Sequence, residues 1–191
     1  MNNQAQPRGP AQRGVQIITV AEHRLTSSLE AQLSELLDTC FPDVFQGRTY
    51  FKQLPHWRVL AVEGESVLGQ LGIDGRIINV GGSVLTIFGI IDVCVRPDRQ
   101  GEGLASQLLA EAEGLARDAG RDFLVLIADR HDLYERHGFA SVTPANVKWL
   151  AIEDRFSVTL LEEDLSGCFL VKPLCTTHWP TGQIDMLGYL F

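Results

Sequence analysis

The pattern of apolar and polar positions in the first part of the chain predicts a strand followed by a helix. Residues 15–20 form a β-branched run typical of a strand. A helix with one apolar face follows, and Pro42 ends it. The leucines of that face recur at helical spacing: Leu25, Leu29, Leu33, Leu36 and Leu37. Residues 47–54 predict a second, weaker helix.

The next part of the chain changes to the pattern of a strand meander. Strands are predicted at residues 57–62, 67–80 and 83–95. The Gly81-Gly82 pair between the last two is the signature of a tight hairpin. The third strand is nearly continuous in apolar residues, so we expect it to be buried on both faces.

Helical periodicity returns at Leu104 and continues to Ala116, and Gly120 ends this helix. Residues 123–128 predict an apolar strand and residues 132–137 a short helix. Residues 147–152 and 168–171 predict strands on either side of an acidic loop. This order predicts a single mixed α/β (α+β) domain over residues 15–191.

Composition narrows the classes of partner. The formal net charge of −8 argues against nucleic acid or an anionic membrane as the main partner and mildly favours a cationic acceptor. Residues 1–14 are polar and lack the apolar core of a signal peptide, which predicts a disordered tail and a cytoplasmic protein. No apolar stretch reaches membrane-span length. The cysteines show no zinc-ligand spacing, so no metal site is predicted.

A glycine-rich loop, Gln100-Gly-Glu-Gly-Leu-Ala-Ser106, leads from the third meander strand into the Leu104 helix. Free N–H groups at a helix start and small residues that permit close approach form an anion site. The loop lacks the Lys-Ser or Lys-Thr of a Walker motif. The preceding meander also differs from the βαβ unit of a dinucleotide site. On the glycines alone, an ordinary strand-to-helix turn remains an alternative.

The spacing Gln100-x-x-Gly103-x-Ala105, preceded by a Val-x-Pro turn, resembles the acyl-coenzyme A loop of the GNAT acetyltransferases. The resemblance implies a mostly antiparallel sheet that splays open near residues 92–95. It also implies transfer of an acetyl or other acyl group from coenzyme A (CoA) to a primary amine. The pyrophosphate of CoA would then be held by Gln100, Gly101, Gly103, Leu104, Ala105 and Ser106. The backbone of Val93, Cys94 and Val95 would hold the pantetheine arm and the acyl carbonyl.

Two candidate catalytic residues follow. Residues 132–139 resemble the family segment Leu-Tyr-x-x-x-Gly-Phe, in which Tyr134 would protonate the departing thiolate. Asp92 lies in an apolar strand, where a carboxylate needs a partner or a function, and would take a proton from the amine. A packed tyrosine and a structural carboxylate are the alternatives. His131 and His137 are rival bases. Cys94 has no paired histidine, so we expect direct transfer without an acyl-enzyme.

The tail from Trp179 to Phe191 is too aromatic to remain in water. It would either pack over the core or form a wall of the acceptor pocket. Its Trp-Pro-x-Gly sequence, with Trp57-Arg58 and residues 76–81 upstream, partially resembles the nodulation-factor N-acyltransferases and, more loosely, the aminoglycoside 2′-N-acetyltransferases. This favours a small-molecule or amino-sugar acceptor. A protein-lysine acetyltransferase and a non-catalytic CoA-binding sensor are the alternatives, and a homodimer is left open.

Overall fold

The computed structural model describes residues 14–153 and 156–191 of the chain, so residues 1–13 of the predicted tail lie outside it. Strand β1 (Val15–Ala21) leads through a short 3₁₀ turn into helix α1 (Ser27–Cys40). Thr26 caps this helix, because its hydroxyl accepts from the Leu29 N–H at 3.3 Å. The predicted leucine face is confirmed at Leu33, Leu36 and Leu37, which are buried, whereas Leu25 lies before the helix begins.

The helix predicted at residues 47–54 is wrong. The segment consists of turns and bends, and Gly47 has a φ of 80°. Its polar groups bond to distant residues: the Gly47 N–H donates to Asp38 Oδ2 at 2.9 Å, and the Thr49 carbonyl accepts from Arg58 at 2.6 Å. Tertiary contacts therefore replace the weak helical preference of this segment.

The meander is confirmed and forms the middle of one sheet. It consists of β2 (Trp57–Glu63), β3 (Ser66–Val80) and β4 (Ser83–Val95), joined in antiparallel pairs. The first half of β3 also pairs with β2, and the last residues of β3 pair with the C-terminal strand β10 (Ile184–Tyr189). Helix α2 (Leu104–Asp118) follows β4 and packs on the sheet, with Leu104, Leu108, Leu109, Ala112 and Ala116 buried.

The remaining elements complete a mixed sheet. They are β5 (Phe123–Ile127), α3 (Asp132–Arg136), β6 (Ala140–Ser141), β7 (Asn146–Glu153), β8 (Phe156–Asp164) and β9 (Phe169–Pro173). The strand order is β6-β9-β5-β4-β3-β10-β7-β8, with β1 and β2 attached through β3. Three strands were not predicted: the short β6, the acidic segment that forms β8 at the sheet edge, and β10, which the tail supplies between β3 and β7.

The predicted splay is confirmed. The parallel pairing of β4 with β5 runs from Ile87–Phe123 to Gly89–Val125 and goes no further. Beyond Gly89, β4 continues to Val95 beside β3 alone, while β5 pairs with β9. A gap therefore opens between β4 and β5 at the end nearest the glycine loop. Among the described residues, no helix is long and apolar enough to cross a membrane.

Candidate active site

Asp92 lies at a β-bulge in the splayed half of β4. The register of β3 and β4 shifts between Gln70 and Gly72, and Asp92 has a φ of 52°. This left-handed conformation is unfavourable for most side chains, although Asp and Asn tolerate it best. A bulge re-aims the side chain of its strand. Here it places the Asp92 carboxylate in the wall of a cleft.

Burial raises the pKa of Asp92 from 3.8 to about 6, because the charged form loses water. The positive charge of Arg58 opposes this rise. A carboxylate with a pKa near 6 is largely ionised at neutral pH, yet it binds a proton more readily than an ordinary aspartate. Both properties suit a general base.

The cleft beside Asp92 is lined by apolar and aromatic side chains together with a second carboxylate. Its wall consists of Phe51, Lys52, Gln53, Leu54, Asp74, Ile91, Asp92, Tyr189 and Phe191. The Lys52 ammonium donates to the carbonyl of Ile152, which ties this side of the cleft to β7. The walls therefore come from the loop before β2, from the β3–β4 pair and from the tail.

The tail contributes to the core and to the cleft, at different residues. Trp179 packs into the core, with its ring centroid 5.0 Å from that of Phe123. Tyr189 and Phe191 instead line the cleft. The Phe191 ring lies directly over Gly89, where a Cβ would come within 2.4 Å of it, so only glycine admits the ring.

A buried carboxylate holds this aromatic wall in place. Asp74 is 2% exposed, and its Oδ2 accepts from the Tyr189 hydroxyl at 2.9 Å. Arg76 lies 3.4 Å from the same oxygen, donates to the Tyr189 carbonyl at 2.6 Å, and stacks 4.1 Å from the Tyr189 ring centre. Asp74 Oδ1 lies 2.7 Å from Nδ1 of His56, an ion pair when that imidazole is protonated. The partners of Asp74 therefore position the cleft wall.

The glycine loop has the geometry of an anion site. Gly101 and Gly103 have φ values of 84° and 78°, and a Cβ at either would meet no protein atom within 4 Å. The first N–H groups of any helix have no intrahelical acceptor. Gly103, the N-cap of α2, has no side chain that could accept from them, so they stay available to a ligand. The first turn of α2 carries no acidic residue. These features fit a phosphate group.

The side chains of Gln100 and Ser106, two other predicted residues of the loop, bond to different parts of the protein. The Gln100 side chain turns back and donates to the Val95 carbonyl at 3.1 Å, which fastens the loop to the end of β4. Ser106 Oγ lies 3.0 Å from His137 Nε2. The start of α2 and the segment after α3 are thereby brought together.

Tyr134 lies on α3, which follows β5 in the chain, and it is not among the residues that line the cleft beside Asp92. Its ring packs edge-on against Phe139 at 5.9 Å, and burial raises the pKa of its hydroxyl. A phenol with a raised pKa remains protonated at neutral pH, as a proton donor must. Of the rival bases, His131 is held 3.0 Å from the Gly167 carbonyl. Burial, with Lys172 and Arg136 nearby, lowers the pKa of His137.

Cys94 is 7% exposed, and hydrogen bonding to the Cys40 thiol, together with burial, raises its pKa strongly. Its thiol therefore remains protonated and is a poor nucleophile. Within residues 14–153 and 156–191, no three His, Cys, Asp or Glu side chains form a group that could hold a metal ion.

The splayed sheet, the bulge beside a cleft and the glycine loop that leads into α2 agree with an acyltransferase fold. The chain belongs to the GNAT acetyltransferases, since the model of the acetyltransferase (GNAT) domain matches residues 22–142. A comparison with curated protein sequences finds no significant match. The partial resemblances to acyltransferases acting on amino sugars therefore stay predictions.

Solved structures with the same fold come from several bacteria. One is a GNAT family N-acetyltransferase (YhbS) from Escherichia coli in complex with CoA, with a TM-score of 0.64 and 19% identity over 96% of this chain and 93% of that chain. Another is a GNAT family acetyltransferase from Brucella melitensis in complex with acetyl-CoA, with a TM-score of 0.61 and 19% identity over 91% and 96%. At these identities the likeness concerns the fold.

Several residues that build the site were not singled out as site residues from the sequence. Asp74 interrupts an apolar strand just as Asp92 does, so the same reasoning applied to residues 72–76 would have found it. Arg58 and Gln70 are charged or polar residues in apolar strands, and both are fully buried. The signal was present in each case, but the partner of each residue lies on another strand.

Proposed function

We propose that this protein is an N-acyltransferase that moves an acetyl or other acyl group from CoA to a primary amine by direct transfer. The observation that carries the proposal is the position of Asp92. This raised-pKa carboxylate lies at the bulge of the splayed strand and lines the cleft where an acceptor would enter. Relatives of the same fold bind CoA and acetyl-CoA in their crystals.

The co-substrate would lie along the splay. The loop residues Gln100, Gly101, Gly103, Leu104, Ala105 and Ser106 would hold the pyrophosphate, mainly through backbone N–H groups. The freed edge of β4 at Val93, Cys94 and Val95 would hold the pantetheine arm and stabilise negative charge on the carbonyl oxygen. The open space around Gly103 supports this placement, since no protein atom occupies it.

The reaction needs proton transfers at the amine and at the sulfur, and we assign them to Asp92 and Tyr134. Asp92 accepts a proton from the ammonium, directly or through water, because an amine must have a free lone pair to attack. The amine nitrogen bonds to the carbonyl carbon, and the carbon–sulfur bond breaks. Tyr134 donates its proton to the departing sulfur, and the second proton that the nitrogen loses as the amide forms returns to the tyrosinate through water. No side chain forms a covalent intermediate, in keeping with the protonated Cys94 thiol.

The cleft favours a small cationic amine as the acceptor. The feature that supports this is the Asp92 carboxylate in the lining, since the rings of Phe51, Tyr189 and Phe191 already pack against the cations of Lys52 and Arg76. The negative overall charge acts in the same direction. A protein-lysine acceptor and a non-catalytic sensor are the competing functions. The cytoplasmic location and the homodimer remain predictions.

The test is a panel of amines incubated with acetyl-CoA while thiol release is followed. The panel contains small diamines, amino sugars and a lysine-containing peptide. We expect turnover with at least one small amine and loss of that turnover in Asp92→Asn. Turnover with the peptide alone would establish the protein-lysine alternative. Calorimetric binding of acetyl-CoA without any turnover would establish the sensor.

A further inference from the structure

A buried polar chain crosses β2, β3 and β4 beneath the bulge. It begins at Arg58, which is 0% exposed although it carries a full charge. Its guanidinium donates to both carboxylate oxygens of Glu22, at 2.6 and 3.1 Å, and to the Thr49 carbonyl at 2.6 Å. A fourth contact, at 3.0 Å, reaches Gln70 Oε1. Burial of a charge requires such a complete set of partners.

Gln70 on β3 carries the chain forward to the bulge. Arg58 can only donate, so the amide of Gln70 must present its oxygen to Arg58 and its nitrogen to the opposite side. There Nε2 donates to the Asp92 carbonyl at 2.6 Å. Gln70 is itself 0% exposed, so water does not compete for this bond. The guanidinium thus fixes the direction in which the glutamine acts.

The Gln70 amide supplies a side-chain donor to the Asp92 carbonyl at the bulge. In a regular antiparallel pair, a strand carbonyl accepts from a backbone N–H of its neighbour. At the bulge the register shifts and Asp92 takes its left-handed conformation. Such a conformation persists only where the surroundings hold it.

The same arginine also reaches the cleft wall. Thr49, whose carbonyl accepts from Arg58, comes just before Phe51 and Leu54, which line the cleft together with the tail residues. One buried side chain therefore joins the loop that faces the acceptor to the strand that carries the proposed base.

We propose that Arg58 and Gln70 are positioning residues, which hold Asp92 in its bulged conformation and keep it in register with the Thr49–Leu54 wall of the acceptor cleft. The proposal rests on the proposed function, in which Asp92 takes the proton of the amine. Neither residue touches the reacting atoms. Gln70 acts on the reaction through the backbone of Asp92, whereas the charge of Arg58 also opposes the rise in the Asp92 pKa.

The test compares two substitutions at Gln70 with a matched control. Gln70→Leu removes the donor to the Asp92 carbonyl and leaves Arg58 bound to Glu22 and Thr49. Gln70→Glu keeps an acceptor for Arg58 and places a second oxygen against the Asp92 carbonyl. The control is Gln32→Leu, because Gln32 Oε1 also supports β3, accepting from the Val67 N–H at 2.9 Å, but has no contact with the bulge.

We expect both Gln70 variants to lower kcat by about 10- to 100-fold, since small displacements of a reacting group have effects of this size. The KM for acetyl-CoA should stay within about twofold, because the glycine loop is not part of the chain. Gln32→Leu should keep the kcat of the parent. If Gln70→Leu does not fold, Gln70→Glu decides, since Arg58 keeps its partner there. Folded Gln70 variants with the kcat of the control would overturn the proposal.

A crystal structure of a folded Gln70 variant separates this proposal from the proposed function. We expect Asp92 to leave the left-handed region, whatever the activity. An Asp92 that keeps its φ near 52° would refute the positioning role. Asp92→Asn with the parent's rate would instead refute the base role and leave the structural result standing.

Discussion

Replacing Asp92 by Asn removes the ionisable group of the proposed base and preserves the backbone conformation that the bulge requires. Asn tolerates a left-handed φ as well as Asp does, so the substitution adds little strain at a φ of 52°. The side chains have nearly the same shape. Any change in stability therefore reports mainly on the cost of the buried charge.

The raised pKa sets the size of that cost. In the unfolded chain the carboxyl titrates near 3.8, and in the folded protein near 6. The folded state therefore binds the proton more tightly, and stability falls as the pH rises from 3.8 to about 6. The full difference corresponds to about 3 kcal/mol above pH 7. Relaxation of the surroundings reduces it, so we expect Asp92→Asn to stabilise the protein by about 1–3 kcal/mol at pH 7.5.

The assay is urea unfolding of the parent and of Asp92→Asn at two pH values. The gain in unfolding free energy should be about 1–2 kcal/mol larger near pH 7.5 than near pH 5, because the parent is already largely protonated at the lower pH. Turnover of the variant should fall by about 10²-fold or more. The acid limb of the parent's activity should have its midpoint near pH 6. An equal change in stability at both pH values would show that the carboxylate is not desolvated, and the reasoning would fail.

Three further predictions concern the co-substrate side. Tyr134→Phe should lower kcat by about 10²-fold and leave CoA affinity unchanged by calorimetry; an unaltered single-turnover rate would remove the acid role. Gly103→Ala should weaken CoA binding about tenfold or more, because its Cβ projects into the open anion site. Gly120→Ala is the control, because Gly120 has a φ of 62° at the other end of α2 and the substitution causes similar backbone strain there. An equal loss of CoA affinity in both variants would show that strain, and not the loss of the anion site, causes the effect. Cys94→Ala should keep most of the activity, and mass spectrometry should find no acetyl group on Cys94 in the parent incubated with acetyl-CoA alone.

The elements that the sequence predicted correctly carry strong local signals. These are the helical spacing of apolar residues in α1 and α2, the apolar runs of the meander and the Gly81-Gly82 pair of its hairpin. Strand β8 was missed although Phe156, Val158 and Leu160 alternate with polar residues. These side chains are 55–75% exposed at a sheet edge, where the acidic neighbours made the segment resemble a loop.

The sequence predicted those site residues that belong to a local motif. It did not predict those whose role depends on a contact between two strands. The glycine loop and Asp92 stand out in the chain itself. The Gln70 amide matters because it meets the Asp92 carbonyl across a shifted register, and Tyr189 matters because Asp74 holds its hydroxyl. Contacts between residues so far apart in sequence follow from topology, which the local pattern does not determine.

The insertion of β10 into the middle of the sheet determines the order in which the protein can assemble. Strands β7 and β8 form their own antiparallel hairpin, but in the sheet they join the other described strands through β10. Until β10 is synthesised, the last residues of β3 and one side of β7 are open edges, and open edges invite pairing with other chains. Contacts between distant segments also form slowly. A protein truncated before Ile184 would therefore expose unpaired strand edges on β3 and β7. We expect this truncated protein to aggregate and not to accumulate as an inactive monomer.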